Sequence, residues 1–178
     1  MSCERRKGWH EPPPQGRTKQ MASERVESLI AKLEKGGLKT QEILGSLAGD
    51  EWRRIIYDGP PAWNVRDLLA HLVSAEPRLL QIAQDVAAGG PGASPGFDLD
   101  AFNAEERKRL RDTSPEELLS ALAETRQVTL DWVRTLEDSQ LDRRGRHPAL
   151  GEVTLEVMIT AIYGHQLLHM RDLKSKFP

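Results

Sequence analysis

The sequence has little cysteine and little net charge, and each shortage excludes a class of protein. Its one cysteine, Cys3, cannot form an intramolecular disulfide, which excludes a secreted scaffold built on disulfides. The 25 basic and 27 acidic residues leave a net charge of −2. A nucleic-acid-binding domain is expected to carry a basic face, so we expect no nucleic-acid partner.

Long apolar runs are also missing. No run approaches the roughly 18 consecutive apolar residues that a transmembrane helix needs. The first residues, MSCERRKGWHEPPP, lack the apolar segment of a secretory signal. We therefore expect a cytoplasmic protein with no membrane partner.

Residues that favour β-sheets are scarce. Aromatic residues make up 5% of the chain, and 8 valines and 7 isoleucines stand against 23 leucines and 16 alanines. Leu and Ala lose little conformational freedom in a helix, whereas sheets favour β-branched and aromatic side chains. The composition therefore predicts an all-α protein.

The first 20 residues differ from the rest of the chain. Residues 1–20 contain five basic and two acidic residues and three consecutive prolines, with almost no apolar side chain beyond Trp9. Such a segment cannot bury enough surface to offset the entropy of ordering it. We expect a disordered N-terminal tail over residues 1–20 and one folded domain over residues 21–178.

Four long helical patterns follow, with apolar residues at the spacing of a helix face. They run over residues 23–47, 64–88, 114–137 and 153–174. Gly36-Gly37 interrupts the first, which we interpret as one helix with a weak point. Ser114, Pro115 and Glu117 form a capping box with proline at the first helical position. The patterns predict a four-helix bundle.

The connecting segments carry weaker signals. Residues 98–111 predict a short, charged helix on the surface, and residues 51–56 a short helical piece. Residues 143–148 are interpreted as a basic loop. No β-hairpin signal is found.

Two histidines, His165 and His169, fall on the apolar face of the last helix. Four residues apart, their side chains are neighbours on one helix face, with Cβ atoms about 6 Å apart. This spacing lets two imidazoles reach one metal ion. The simpler interpretation, two core histidines satisfied by hydrogen bonds, requires partners for four ring nitrogens.

A third histidine, His71, lies at the edge of the buried face of the second helix. Alone it is an ordinary boundary residue, but with the pair it would supply a third imidazole ligand. Three protein ligands and an open position are typical of catalytic metal sites. Imidazole ligands suit several metals, and zinc, nickel, iron and manganese remain candidates.

Other residues near this site are weaker candidates. His147 stands at the possible mouth of the site, although a surface loop is the simpler interpretation. Tyr57, Asn103 and Tyr163 are candidate site-lining residues. Arg66, Arg78 or the basic loop could attract an anionic substrate, but a solvated surface is again the simpler interpretation.

Two metal-enzyme classes are disfavoured by the residues around the pair. The spacing of His165 and His169 matches the zinc-peptidase helix, but Gln166 occupies the position of its glutamate base and cannot accept a proton. Di-iron bundles need a Glu three residues before each histidine, where this chain has Ile162 and Gln166.

The segment WNVRDLLAHL, residues 63–72, resembles the start of the second helix in the DinB-like superfamily. That group also includes the mycothiol-dependent maleylpyruvate isomerases. Three further features occur in the expected order: residues 102–104, the His147-Pro148 turn with Gly151, and the terminal histidine pair. The resemblance covers about residues 22–175.

The resemblance implies a bacterial four-helix bundle with an unusual connection order, often a homodimer. It also implies one divalent metal, bound here by His71, His165 and His169. The isomerase branch has a glutamate in place of His165, so the chain is more similar to the three-histidine branch. Some members act with low-molecular-weight thiols such as mycothiol or bacillithiol.

Two functions are consistent with these residues. The first is a metal-dependent enzyme acting on a small molecule, either a thiol-dependent transferase or isomerase or a hydrolase. The alternative is a non-catalytic, metal-stabilised bundle that dimerises or binds a small molecule. Both need the same three histidines, so the sequence does not separate them.

Overall fold

Four long helices dominate the computed structural model, which describes residues 23–177. They are α1 (Glu24–Gly45), α2 (Val65–Ala87), α4 (Pro115–Val133) and α6 (Leu155–Lys176). The shorter elements are α3 (Leu99–Arg109), α5 (Asp138–Leu141), a 3₁₀ turn (Gly49–Arg53), β1 (Ile55–Tyr57), β2 (Trp63–Asn64), β3 (Arg144–His147) and β4 (Gly151–Thr154). The tail predicted over residues 1–20 lies outside the described residues.

The predicted helix starts are confirmed by side-chain caps. Ser114 accepts a hydrogen bond from the backbone N–H of Glu117, whose carboxylate accepts one in return from the Ser114 N–H. Asn64 caps α2 in the same way by accepting from the Asp67 N–H at 2.8 Å. Each cap satisfies a backbone donor that the first helical turn leaves free. The third long helix is shorter than predicted, because it ends at Val133.

The order of the helices around the bundle differs from their order in the chain. Helix α1 packs against α6 and α4, and α2 also packs against α4 and α6. The first two long helices are therefore diagonal to each other rather than adjacent. The predicted four-helix bundle is confirmed, and its core places α2 beside α6. Among the described residues, no helix is long and apolar enough to cross a membrane.

The Gly36-Gly37 pair does not interrupt α1, so the prediction of one continuous helix is confirmed. Both glycines are buried at helix contacts. A Cβ on Gly36 would lie 3.3 Å from the Tyr163 Cβ, and one on Gly37 would lie 3.1 Å from the Arg126 Cγ. These contacts explain the pair: it lets α6 and α4 approach the backbone of α1.

A polar layer lies between two apolar clusters of the core. One cluster contains Leu33, Ile82, Leu130 and Ile162 among others. The second contains Leu44, Val73, Leu122 and Met170 among others. On α2, α4 and α6, the residues between the two clusters include the buried polar side chains Glu76, Arg126, Thr129 and Gln166.

The Glu76 carboxylate is the centre of this layer. It accepts hydrogen bonds from Thr129 Oγ1 at 2.8 Å, Gln166 Nε2 at 2.7 Å and Arg126 Nη2 at 3.1 Å. Arg126 Nη1 donates to the Leu33 carbonyl on α1 at 2.8 Å. The network therefore joins all four long helices, and a buried charge needs such partners to be tolerated.

Two predictions about the connecting segments are wrong: that the chain has no hairpin, and that residues 143–148 form a loop. Strands β1 and β2 pair antiparallel, as do β3 and β4. Ile55 and Ile56, predicted as helical, belong to β1. The β3–β4 turn ends at Gly151, whose φ of +71° is a conformation that L side chains rarely adopt.

Helix α3 lies on the surface of the bundle, as predicted, and contains no buried residue. Polar contacts from both sides attach it to α2. Arg66 donates to the carbonyls of Leu110 and Thr113, and Arg107 donates to Asp67 at 2.8 Å. Arg66 is therefore a partly buried structural residue, and its interpretation as solvated surface is wrong.

We expect Glu76→Ala to lower the free energy of unfolding by about 3–5 kcal/mol, because it leaves the Arg126 charge buried without a partner. Urea unfolding measures this. Glu34→Ala is the matched control, since it also breaks a glutamate–arginine pair. That pair joins Glu34 on α1 to Arg134, directly after α4, and both side chains are almost half exposed. It should cost about 0–1 kcal/mol. Equal losses in the two variants would contradict the central role of the buried network.

Candidate metal centre

The structure brings His71, His165 and His169 together between α2 and α6. The Nε2 atom of His165 lies 3.0 Å from the Nε2 of His71 and 3.0 Å from the Nε2 of His169. One ligand nitrogen from each residue lies within 4.8 Å of the other two. Two imidazole nitrogens bound to one ion at about 2.05 Å lie roughly 2.9–3.4 Å apart, so the spacing fits a shared metal.

Hydrogen bonds alone do not satisfy this cluster. A neutral imidazole carries one proton, so each Nε2 acts either as donor or as acceptor. If His165 Nε2 carries the proton, it can donate to only one of its two neighbours. If it does not, its single lone pair must accept from both neighbours, and both must carry their protons on Nε2. A cation among three lone pairs removes this conflict.

The tautomer of His169 is set from behind by Tyr57. The Tyr57 hydroxyl lies 2.6 Å from His169 Nδ1 and donates to Asp172 Oδ2 at 3.0 Å. Because the hydroxyl hydrogen is used in the hydrogen bond to Asp172, the hydroxyl oxygen accepts a hydrogen bond from the Nδ1–H group of His169. The Nε2 lone pair of His169 is then available to a metal ion, as it is in metal-bound histidines whose other ring nitrogen donates to a hydrogen-bond acceptor.

The three imidazoles are poor bases in the folded protein. Burial, and to a smaller extent the neighbouring imidazoles of His165 and His169, lower the pKa of His71 to about 3, against the opposing effect of a hydrogen bond with Asn103. Burial likewise lowers the pKa of His165 and of His169 to about 4. The three side chains are therefore neutral at physiological pH, the state in which imidazole binds metals.

A cavity of about 520 Å³ opens beside His71 and His165. Its walls come from α2, α6, the segment around α3 and the β3–β4 turn. Most of the side chains that line it are apolar: Ala75, Leu79, Phe97, Leu99, Phe102, Pro148, Ala149, Leu150, Ala161 and Leu168. This volume and composition fit a small organic molecule held next to the histidine cluster.

His147 is a buried member of this cavity, so its interpretation as part of a surface loop is wrong. Its side chain is only 6% exposed, and it lies near enough to His165 to lower the pKa of that imidazole. The Nδ1 atom accepts from the backbone N–H groups of Ala149 and Leu150 at 3.1 and 3.2 Å. The only sequence signal for a role of His147 in the site is its position before Pro148 in the turn, and that signal is weak.

The other candidate residues divide between two places. Asn103 lines the cavity beside His71, and Tyr57 contacts His169. The structure does not bring Tyr163 to the cluster, because it lines a different groove between α1 and α6, against Gly36. Gln166 also points away, since it donates to Glu76 in the polar layer.

The fold and the cluster define the class first: a four-helix bundle with an unusual connection order and three histidines between two of its helices. The family model of the DinB superfamily matches residues 20–173. The chain therefore belongs to the DinB superfamily, as its resemblance to that family predicted. A comparison of the sequence with curated proteins finds no match.

Several solved structures share the fold at low sequence identity. YfiT from Bacillus subtilis, described as a probable metal-dependent hydrolase with an unusual four-helix bundle topology, is 20% identical with a TM-score of 0.70. The match covers 94% of this chain and 91% of that protein. The mycothiol-dependent maleylpyruvate isomerase is 17% identical with a TM-score of 0.66. That match covers 83% of this chain but only 60% of the isomerase.

A third structure of this fold is the colibactin self-resistance protein ClbS in complex with a double-stranded DNA. It is 19% identical with a TM-score of 0.62, and the match covers 84% of this chain and 94% of that protein. These likenesses show the fold alone. The expectation that this chain has no nucleic-acid partner stays a prediction.

We expect metal-free protein to lose stability as the pH falls from about 6.5 towards 4. The unfolded chain binds protons at its histidines near pH 6.5, whereas the three folded imidazoles stay neutral down to about pH 4 or below. Each such histidine contributes a slope of up to about 1.4 kcal/mol per pH unit. Urea unfolding over this pH range measures the slope.

The matched variant for this experiment is His71→Gln, which removes one of the three titrating groups. Its unfolding free energy should fall less steeply with pH, by a slope that corresponds to about one proton. An unchanged slope would show that His71 is not held neutral by the folded protein.

Proposed function

We propose that this protein is a metal-dependent enzyme that binds one divalent ion through the Nε2 atoms of His71, His165 and His169. The observation that carries the proposal is the convergence of these three nitrogens beside an apolar cavity. The description of YfiT as a probable metal-dependent hydrolase, and of another relative in fold as thiol-dependent, supports it further. Zinc, nickel, iron and manganese are all candidates for the ion.

We further propose that the substrate chemistry uses a low-molecular-weight thiol, such as mycothiol or bacillithiol, in a transfer or isomerisation. A divalent ion in such a site would deprotonate a bound thiol and polarise a neighbouring substrate oxygen. The residues support a thiol over water for one reason. Asp100 is the only carboxylate among the described residues that line the cavity, and it is exposed. A hydrolase would have to activate water without a buried general base.

The residues at the cavity would divide the work of binding the ion, orienting its ligands and holding the substrate. His71 and His165 hold the ion at the edge of the cavity, and Tyr57 orients His169 from behind. Asn103 offers a polar group to the substrate near His71. The apolar lining excludes water from the reacting group, which strengthens electrostatic interactions there.

Metal analysis of protein purified without a histidine tag tests the metal site. We expect about one equivalent of divalent metal per chain and a loss of most of it in His169→Ala, because one of three ligands is missing. His10→Ala is the control, since His10 lies outside the described residues and is not one of the three. A ratio near zero that His169→Ala leaves unchanged would remove the basis of the proposal.

A second prediction separates the two candidate tyrosines. Tyr57→Phe should weaken metal binding by about 10–100-fold, because His169 loses the partner that orients its ring. Tyr163→Phe should leave the affinity unchanged, because Tyr163 lines the α1–α6 groove. Competition with a chromophoric chelator measures both affinities. An equal effect of the two substitutions would contradict the assigned role of Tyr57.

Turnover distinguishes the enzyme from the alternative, a metal-stabilised bundle that dimerises or binds a small molecule without catalysis. Metal-loaded protein should consume a small electrophile in the presence of mycothiol, bacillithiol or glutathione, and His165→Ala should not. A binding module would show only a thermal shift. Homodimerisation and a bacterial cytoplasmic location are part of the same proposal, and light scattering of the purified protein tests the first.

A further inference from the structure

Apart from Nδ1 of His71, which belongs to the histidine cluster, two buried nitrogens of residues that line the cavity have no hydrogen-bond partner in the protein. One is Nε2 of His147, which is buried without a partner. The other is Nε of Arg78, which is also buried without a partner. Both residues line the same cavity. Buried donors without partners are rare in folded proteins, and each needs an explanation.

The proton of His147 is assigned by its surroundings. Because Nδ1 accepts two backbone hydrogen bonds, from Ala149 and Leu150, it carries no proton. The ring is therefore neutral with its hydrogen on Nε2, at the opposite edge from the turn. The turn thus fixes the tautomer of a neutral imidazole in the wall of the cavity, with its N–H donor on Nε2.

Arg78 adds a positive charge to the same wall. Its guanidinium carbon lies 4.7 Å from the centre of the Phe97 ring, over the ring face. Its Nη1 donates weakly to Gln81 at 3.4 Å, and no carboxylate of the described residues lies within ion-pair distance. Asp100 also lines the cavity, but its side chain is exposed. Arg78 is therefore the one cation among the described residues that line the cavity, and the one anion, Asp100, is turned to solvent.

We propose that this cavity binds the carboxylate of a small, largely apolar molecule, with His147 Nε2–H and the Arg78 guanidinium as its donors. The apolar lining would contact the body of the ligand, and the two donors would give the preference for an anion. A charge-assisted hydrogen bond is stronger than one to a neutral oxygen, so a carboxylate is favoured over an alcohol. The inference deepens the proposed function by naming its substrate class, and its test uses no metal.

The test compares 4-phenylbutanoate with 4-phenylbutan-1-ol by calorimetric titration of the metal-free full chain near neutral pH. We expect the carboxylate to bind at least about tenfold more tightly than the alcohol. Equal affinities, or no binding of either probe at millimolar concentration, would overturn the proposal. Because no metal is present, neither outcome depends on whether the proposed metal site is correct.

Two substitutions of His147 separate its donor role from its role in the turn. The side-chain oxygen of His147→Asn can replace Nδ1 as acceptor from the turn but offers no donor at the Nε2 position. The side-chain amide of His147→Gln can replace the Nε2–H donor but not the Nδ1 acceptor. We expect His147→Asn to lose about tenfold in carboxylate affinity and His147→Gln to keep most of it. The reverse order would assign His147 to the turn alone.

Arg78→Met keeps the apolar stem of the side chain and removes its charge. It should also lose about tenfold for the carboxylate, with the alcohol unaffected, and an unchanged preference would contradict the role of Arg78. If the His147 variants fail to fold, nitrogen NMR of the wild-type imidazole replaces them. The proposal expects a protonated Nε2 in the free protein whose resonance shifts when the carboxylate binds, and an unshifted resonance overturns it.

Discussion

One buried carboxylate joins the two helices that carry the histidine cluster. Glu76 on α2 binds Gln166 on α6, and Gln166 directly follows His165 in the chain. The same carboxylate binds Arg126 and Thr129 on α4, and Arg126 reaches the backbone of α1. Apolar contacts have no directional preference of their own, whereas the hydrogen bonds of this network are satisfied only when the helices are aligned. The network therefore sets the register in which His71 meets the histidine pair of α6.

This constraint also accounts for the residue that stands between the two histidines of α6. In the sequence, Gln166 occupies the position of the catalytic glutamate of zinc peptidases. It cannot act as that base, because an amide does not accept a proton. In the structure the amide has a different purpose, since it donates to Glu76 in the interior. The side of α6 that carries the histidines faces the cluster with His71, and the adjacent side packs the helix against the polar layer.

Most of the fold could be predicted from the sequence, because helix periodicity and caps such as Asn64 and Ser114 are local signals. The histidine cluster could be predicted for the same reason, since His165 and His169 share one face. The Glu76–Arg126 pair could not, because nothing local states which charges on different helices will meet. The burial of His147 could not be predicted either, because β3 pairs with residues 91–93, which are distant in the chain.

The cavity is assembled from two kinds of structure, and this has a consequence for how such proteins diversify. Its inner wall belongs to α2 and α6, whose positions are set by the core. Its outer wall belongs to α3 and the β3–β4 turn, which connect the long helices and contribute little to the core. Changes in these connections can reshape the cavity without moving the histidines. The same histidine cluster can thereby stand beside cavities of different shape in different sequences.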